Sequence, residues 1–430
     1  MNASPNLPFE RLDPITYLPN RNQFIADYEM HPAGADLVMI TIADAQHFNA
    51  ILRALGHEYA DDFLRVGAAR IRLALPADCE IYHVSILSFA FFPQGDAEAA
   101  ITSILRDFAT PLLCGGIPVV TRIGVGLSTS DHLSASDLLR TALAAAQDSR
   151  YSNAGWARYD EKTDTLHRRG FLLLSLLTAA LESGNQLSLH FQPKFKLATG
   201  RPNGAEALLR WNHPTLGNIS PAEFIPLAET TALIDPLTNW VIDHAIAEAA
   251  KWERAGLSLT MAVNVSPHNL GRRGFAAEIA EKLRKSSLNP KTFEFEFTEG
   301  ALVSNDSIVL AQLQELRTLG ARIALDDFGT GFSNFNYIAH LPADIIKIDQ
   351  SFIRRISSDE RSAAVVRSLI QLAHRLDYQV VAEGIETAAT YRQLAGWRCD
   401  EGQGYFMSRP LNADRFNDFI RATPERAITH

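Results

Sequence analysis

The second half of the chain places acids where a strand by itself favours Val or Ile. Glu206 lies in Gly-Ala-Glu-Ala-Leu-Leu-Arg210, Asn264 in Ala-Val-Asn-Val-Ser, and Glu296 and Glu299 in Phe-Glu-Phe-Thr-Glu. Asp326 and Asp327 follow Ile-Ala-Leu, Lys347 and Asp349 alternate with isoleucines, and Glu383 and Glu386 close a run that starts at Gln379. Carboxylates this numerous, if buried together, do not all stay ionised without cations. A donor set of carboxylates and an amide, with no His or Cys, selects Mg²⁺ or Mn²⁺ over Zn²⁺. Adjacent acids such as Asp326-Asp327 reach two ions if a strand-end kink turns both side chains inward. That arrangement suits a pair of metals about 3.5–4 Å apart, which is phosphodiester chemistry. Lys347 at a strand end can hold the attacking water or a phosphate oxygen, and Arg210, four residues beyond Glu206, can take a phosphate.

Each residue also has a plainer reading. A single Glu or Asp at a strand end usually caps the next helix or sits in a solvated turn. Asp326-Asp327-Phe-Gly-Thr-Gly-Phe also reads as a glycine-rich loop, and Lys347 as an ion-pair partner of Asp349. His190, His213, His340 and His374 are scattered and read as packing or surface residues, and Trp211, Trp240 and Trp252 fit packing better than a base-stacking ladder. The conjunction of acids at many strand ends favours the metal reading.

Such acids need a scaffold that gathers distant positions. Between Leu187 and Phe406 short β-rich runs recur between helical stretches: Leu187–Leu197, Ala205–Trp211, Leu259–Ser266, Phe293–Glu299, Arg322–Phe328, Asp344–Asp349, Gln379–Glu386 and a less regular run at Gly402–Phe406. Eight strands over about 220 residues is the arithmetic of a (β/α)₈ barrel, in which the carboxyl ends of the strands converge on one mouth. The chain's 430 residues leave room for a second domain, with 47 % hydrophobic and 21 % charged residues, as in ordinary globular proteins. A net charge of −9 gives no basic footprint for a DNA or RNA polymer. Cys79, Cys114 and Cys399 suit neither a disulfide framework nor a zinc cluster, so a reducing cytoplasm is expected. No run approaches the length of about 18 apolar residues that a membrane span requires.

The first half interleaves apolar strands at Asp36–Ile42, Ile81–Phe92 and Ile117–Leu127 with helices at Phe63–Leu75 and Ser136–Ala146, an α/β or α+β order. Leu and Ala spacing over Leu166–Ser183 reads as an amphipathic helix that joins the halves. Asp44, the one acid at a strand end here, is open between a cap and a metal ligand. The landmarks Asp13-Pro-Ile-Thr-Tyr-Leu-Pro-Asn-Arg21, Phe48, Gly56-His57 and Ile123-Gly-Val-Gly126 resemble the GGDEF family of diguanylate cyclases over residues 11–160. Where that family places its GGDEF turn, this chain reads Ser85-Ile86-Leu87-Ser88-Phe89. The glycines that admit a triphosphate and the acids that hold Mg²⁺ are gone. Gln46 replaces a second strand-end acid, Leu52 and Arg53 stand at the guanine-reading positions, and Pro76 and Cys79 replace the inhibitory Arg-x-x-Asp. The resemblance therefore implies a catalytically inactive, regulatory or dimerising domain.

The second half resembles the EAL family of cyclic di-GMP phosphodiesterases. The resemblance runs through Gln192-Pro, Glu206-Ala-Leu, Arg210-Trp-x-His-Pro, Asn264-Val-Ser, Glu296-Phe-Thr-Glu299, Asp326-Asp-Phe-Gly-Thr-Gly331, Lys347-Ile-Asp, Ala382-Glu-Gly-Ile-Glu386 and Gln403-Gly-Tyr. It implies a modified TIM barrel with one strand running against the rest. The domain order it implies is a tail (1–10), a degenerate GGDEF domain (11–160), an interdomain helix (161–186), an EAL phosphodiesterase domain (187–420) and a tail (421–430). Carried over position by position, Glu206, Asn264, Glu296 and Asp326 hold one metal, and Asp326 with Asp327 serves the second. Lys347 positions the hydrolytic water, Glu383 is the general base or water orienter, and Glu206 joins these two in the catalytic set. Gln192, Arg210 and Gln403 meet the substrate, and Glu299 steadies the loop 327–337, where such barrels dimerise. The implied activity is cleavage of cyclic di-GMP to linear pGpG with two Mg²⁺ or Mn²⁺ ions, in a homodimer formed through the barrel. The alternative is a receptor that binds cyclic di-GMP without cutting it and signals through the first domain.

Overall fold

Alternating apolar residues build a main sheet in each half of this chain. A computed structural model describes residues 11–30, 34–131, 133–151, 155–302, 307–329 and 341–423. The tail 1–10, residues 330–337 of the loop expected to dimerise, His340 and positions 424–430 lie outside the described residues. The chain forms two compact units that divide between Arg169 and Gly170. The division falls inside one helix, Glu161–Ser183, which starts earlier than the apolar spacing alone indicates. No helix among the described residues is long and apolar enough to cross a membrane.

The first unit contains β1 (Asp36–Thr41), β2 (Tyr82–Ser85), β3 (Ser88–Phe91), β4 (Leu112–Cys114), β5 (Ile117–Val119), β6 (Gly124–Thr129) and β7 (Trp156–Arg158). Five of these form a sheet in the order β2-β3-β1-β6-β7, and β4 pairs with β5 as a separate hairpin. Helices His57–Ala74 and Ala135–Asp148 contribute Phe63, Leu64, Ile71, Leu138 and Ala142 to its two apolar clusters. The single strand expected over Ile81–Phe92 is instead a hairpin. It reverses at Ile86-Leu87, which carry none of the Gly, Asn or Asp residues that announce a tight turn. The run Ile117–Leu127 likewise divides, β5 returning on β4 while β6 joins the main sheet. Asp44 is a helix N-cap: its carboxylate accepts the His47 amide at 2.6 Å.

The second unit contains β8 (Leu187–Lys196), β9 (Arg201–His213), β10 (Gly217–Ile219), β11 (Thr260–Asn264), β12 (Phe293–Thr298), β13 (Arg322–Phe328), β14 (Ile345–Ile348), β15 (Gln379–Ala382), β16 (Glu401–Gly402) and β17 (Leu411–Asn412). The strands β9-β11-β12-β13-β14-β15-β16-β8 close on themselves through the β8–β9 pairing, which makes an eight-stranded barrel. β8 is antiparallel to both of its barrel neighbours, and the other barrel pairs are parallel. The last barrel strand ends at Gly402, not near Phe406, because the backbone turns back on itself there: Gln403 donates to the Ala382 carbonyl and accepts from Ile385.

The strand β12 shows how the barrel stays charged inside. Its Phe-Glu-Phe-Glu-Phe alternates with period two, so Phe293, Phe295 and Phe297 join the outer core while Glu294 and Glu296 turn to the axis. Burying each Phe contributes roughly 1.5–3 kcal/mol. That apolar layer between strands and helices, with Trp211, Leu237, Phe275 and Leu313 in it, fixes the strands whose ends form the mouth.

Candidate active site

Lys347 is the hub. It is fully buried on β14, and its ammonium Nζ lies 2.7 Å from Glu296 Oε2, 2.8 Å from Glu383 Oε1, 3.0 Å from Asp326 Oδ2 and 3.7 Å from Glu206 Oε2. Glu206 stands on β9, directly across from Gln192 on β8. It accepts from Asn264 Nδ2 at 2.8 Å and from Gln403 Nε2 at 2.7 Å, and the same Gln403 nitrogen reaches Glu383 Oε1 at 3.0 Å. Asn264 donates through its nitrogen, which leaves its Oδ1 as the oxygen a cation would take. Six strands and two strand-end turns thus bring Gln192, Glu206, Asn264, Glu296, Asp326, Lys347, Glu383 and Gln403 to one end of the barrel.

A bulge supplies the kink that two adjacent acids require. The β13–β14 register slips between Leu325 and Phe328, and Asp327 takes φ 55°, a left-handed conformation uncommon outside glycine. Asp326 is buried and Asp327 exposed, yet one oxygen from each, together with one from Glu383, fall within 4.8 Å of one another. Such strained backbone concentrates at functional sites. Beside it, Gly384 at φ +68° carries the chain past Gln350, whose Cβ lies 2.5 Å from where a side chain at 384 would begin.

The electrostatics are those of a site short of positive charge. Burial holds the Glu296 carboxyl well above the usual carboxylate range, and Glu206 adds to it against the pull of Lys347. Burial also pushes Glu383 up to about 8, with Lys347 opposing. Asp327 is raised by burial and by Asp326. Burial works against ionisation of Glu206 too, but Lys347 and the amides of Gln403 and Asn264 bring it below its ordinary value. Burial opposes the Lys347 charge, and Asp326, Glu206, Glu296 and Glu383 together hold it well above the ordinary lysine value. Five carboxylates thus face one ammonium. Glu296 Oε1 and Gln403 Oε1 are buried with no hydrogen-bond partner. Orphaned oxygens in an acid-rich, amide-lined pocket fit hard divalent cations.

The other sequence candidates stand around this centre. Gln192 is buried, its amide 3.5 Å from the Ser408 carbonyl. Arg210 lies four residues further along β9, half-buried, with Nη1 donating to the Leu209 carbonyl. Glu299 is half-buried at the start of the turn Glu299–Leu302, and the loop it is expected to steady lies largely outside the described residues. Asp349 caps the helix that follows it through the Ser351 amide at 2.9 Å, so the plainer reading holds for Asp349 but not for Lys347. Glu386 pairs with Arg354 at 2.9 Å.

An open cleft of about 690 Å³ leads to the centre, with Gln192, Glu206, Asp326, Glu383 and Gln403 on its floor and Gln350, Arg354 and Tyr405 on its walls. Tyr405 is half exposed, and the Arg409 guanidinium lies 4.2 Å above its ring. The spacing of acids did not single out Arg354, Gln350 or Tyr405, because wall residues follow from loop geometry and not from strand period.

The chain is similar to known proteins. The EAL domain family model matches residues 175–410, and the model for the diguanylate cyclase GGDEF domain matches residues 10–154. Among curated proteins, cyclic di-GMP phosphodiesterase PA2567 of Pseudomonas aeruginosa is 40 % identical over 394 residues, covering 90 % of this chain and 66 % of its own length. Cyclic di-GMP phosphodiesterase PdeR of Escherichia coli is 33 % identical over 426 residues, covering 96 % of this chain and 64 % of its own. The chain spans from about half to about two thirds of the length of the curated relatives it matches. A solved structure described as PaMucR phosphodiesterase in complex with c-di-GMP superposes with a TM-score of 0.55 at 38 % identity, over 57 % of this chain and 99 % of that one. The barrel fold and these matches converge: the chain belongs to the EAL-domain family, with a GGDEF-family domain preceding the barrel.

Proposed function

We propose that this protein hydrolyses one 3′–5′ phosphodiester of cyclic di-GMP and releases linear pGpG. The observation that carries the reading is the gathering of four carboxylates around a single buried ammonium, with Asp327 as a fifth beside Asp326 and Glu383 and with Glu296 Oε1 left without a partner. Charge arithmetic supports two divalent ions: five negative charges and one positive leave −4, which two such ions balance. Glu206, Asn264, Glu296 and Asp326 would hold one Mg²⁺ or Mn²⁺, and Asp326 with Asp327 the other, with Glu383 within reach of that pair. When bound, the ions polarise the phosphate and lower the pKa of a water.

The chain's own residues do the rest. The Lys347 ammonium orients the attacking water and faces the negative charge that builds on the phosphate. Glu383, with its proton affinity raised towards neutrality, accepts or orients the water's proton. Gln403 fixes Glu206 and Glu383 at once through its single amide nitrogen. Arg210 pairs with the second phosphate, and Gln192 lines the cleft beside Glu206. Homodimerisation through the barrel and a cytoplasmic location complete the reading. The three buried free cysteines suit a reducing compartment.

The test is chromatography of cyclic di-GMP incubated with the full chain and Mn²⁺ or Mg²⁺. Conversion to pGpG that stops on chelation supports the proposal. Bound but uncut dinucleotide after hours with either ion would replace the enzyme with a receptor.

A further inference from the structure

Below the mouth residues lies a second ring of inward side chains, one inward position deeper on each strand. Under Asp326, Lys347 and Glu383 stand Ala324, Ile345 and Val381, which form a small apolar cluster of their own, each 0 % exposed. Under Glu206 and Asn264 stand Gly204 and Ala262. Under Gln192, Glu296 and Gln403 the ring is charged instead: Lys194, Glu294 and Glu401, two residues along β8, β12 and β16.

Of these three, Lys194 and Glu294 are hydrogen-bonded, and Glu401 faces Lys194 at longer range with its Oε2 unpartnered. Lys194, with no exposed surface, donates from Nζ to Glu294 Oε1 at 2.7 Å and lies 4.0 Å from Glu401 Oε2. Glu294, equally buried, takes Arg322 of β13 on its other oxygen at 2.9 Å. Glu401 takes Asn203 of β9 at 2.6 Å. Two cations and two carboxylates make the ring neutral, so it supplies no net countercharge to the acids above. Stability gives little reason for it, because well-packed apolar residues often replace a whole buried ion pair without loss. The apolar half of the same ring shows that the barrel accepts that solution. The Lys194–Glu294 bond joins β8 to β12, three strands apart, and the Glu401–Asn203 bond joins β16 to β9, two apart; hydrogen bonds across such gaps do what apolar packing does less well, which is to fix relative height.

We propose that Lys194 is a positioning residue for the cation centre. Hydrogen-bonded to Glu294 from β8 and with its charge 4.0 Å from Glu401, it sets the height of Glu296 and Gln403, and through Gln403 that of Glu206. The inference rests on the phosphodiesterase reading for the identity of the ions, but its readout is ion binding rather than turnover.

The sign of the effect separates the explanations. Loss of Lys194 as a mere positive charge would tighten cation binding, and loss of a purely structural residue would leave the folded protein's affinity unchanged. Loss of a positioning residue weakens it. Mn²⁺ titration of the metal-free full chain by calorimetry and by the free-ion electron paramagnetic signal, without nucleotide, reads this directly. Urea melts in chelator read folding. Lys194→Met is expected to bind Mn²⁺ about 10-fold or more weakly than wild type, the usual cost of disturbing groups behind metal ligands. Lys194→Gln, which keeps a donor facing Glu294, is expected to fall between the two, and it carries the test if the Met variant does not fold. Unchanged or tighter Mn²⁺ binding in a folded variant would overturn the proposal. Wild-type protein that takes up no divalent ion would overturn the phosphodiesterase reading and the inference with it.

Discussion

The two units meet the same demand at their strand ends and answer it differently. In the first, the tip where a GGDEF-family chain holds glycines and acids is a hairpin of Ser85, Ile86, Leu87 and Ser88, with Ile86 69 % exposed. Asp44, the acid left near that tip, is spent on capping a helix. In the second, eight strand ends gather carboxylates, amides and a lysine within hydrogen-bond reach of one another. Both sheets and both cores are intact. The apolar faces therefore keep the fold in both units, while chemistry depends on a few polar residues in which the units differ.

That contrast can be broken by paired substitutions. Glu206→Ala should remove turnover of cyclic di-GMP, a loss of about 10³-fold or more. Asp44→Ala in the first unit should cost about 1 kcal/mol of stability as a lost cap and leave turnover per folded molecule unchanged. Steady-state assays beside urea melts check both, and equal effects on turnover would erase the distinction.

Lys347→Met removes the one ammonium that four carboxylates share. In chelator the variant should lose about 3–5 kcal/mol, as when one partner of a buried pair is deleted. Saturating Mn²⁺ should restore part of the loss, whereas the same ion should not shift the melt of an Asp44→Ala variant any more than that of wild type.

A pH series sharpens the comparison further. Glu383, raised to about 8, and Glu296, raised in the same direction, bind protons in the folded metal-free protein at pH values where the unfolded chain has released them. Metal-free stability should therefore fall as pH rises from about 4.5 to 8, by about 1.4 kcal/mol per pH unit for each group at most. Glu206, lowered, works the other way only at the acid end, where its stabilisation is lost as pH drops below about 4.5. Urea midpoints in chelator at several pH values check the slope, and a rise in stability towards pH 8 would contradict it. The smallest effect belongs to the first unit. Leu87→Asp with Ser88→Glu should produce no cyclisation of GTP, because Leu52 and Arg53 stand where the family resemblance expects the guanine-reading residues. Detectable cyclic di-GMP synthesis would show the scaffold closer to catalysis than its residues imply.

Much of this was legible in the sequence, for identifiable reasons. β12 displays its inward acids as a strict Phe-Glu alternation, and Asp326-Asp327 follows an apolar run that only a strand explains. The hairpin at Ile86-Leu87 was hidden because neither residue favours a turn, and the short β16 because Gly402 and Gly404 carry no pattern. Lys194 was hidden differently. β8 is buried on both faces over Phe191–Phe195, so alternation does not say which side meets the axis. The bulge that turns Asp327 inward is a property of two strands in register, which no single segment encodes.

The most direct test of the central claim is anomalous diffraction from crystals of the full chain grown with Mn²⁺. Two peaks about 4 Å apart are expected, one bordered by Glu206, Asn264, Glu296 and Asp326 and the other by Asp326 and Asp327. Ordered crystals with saturating Mn²⁺ and no peak within ligand distance of Asp326 would contradict the account.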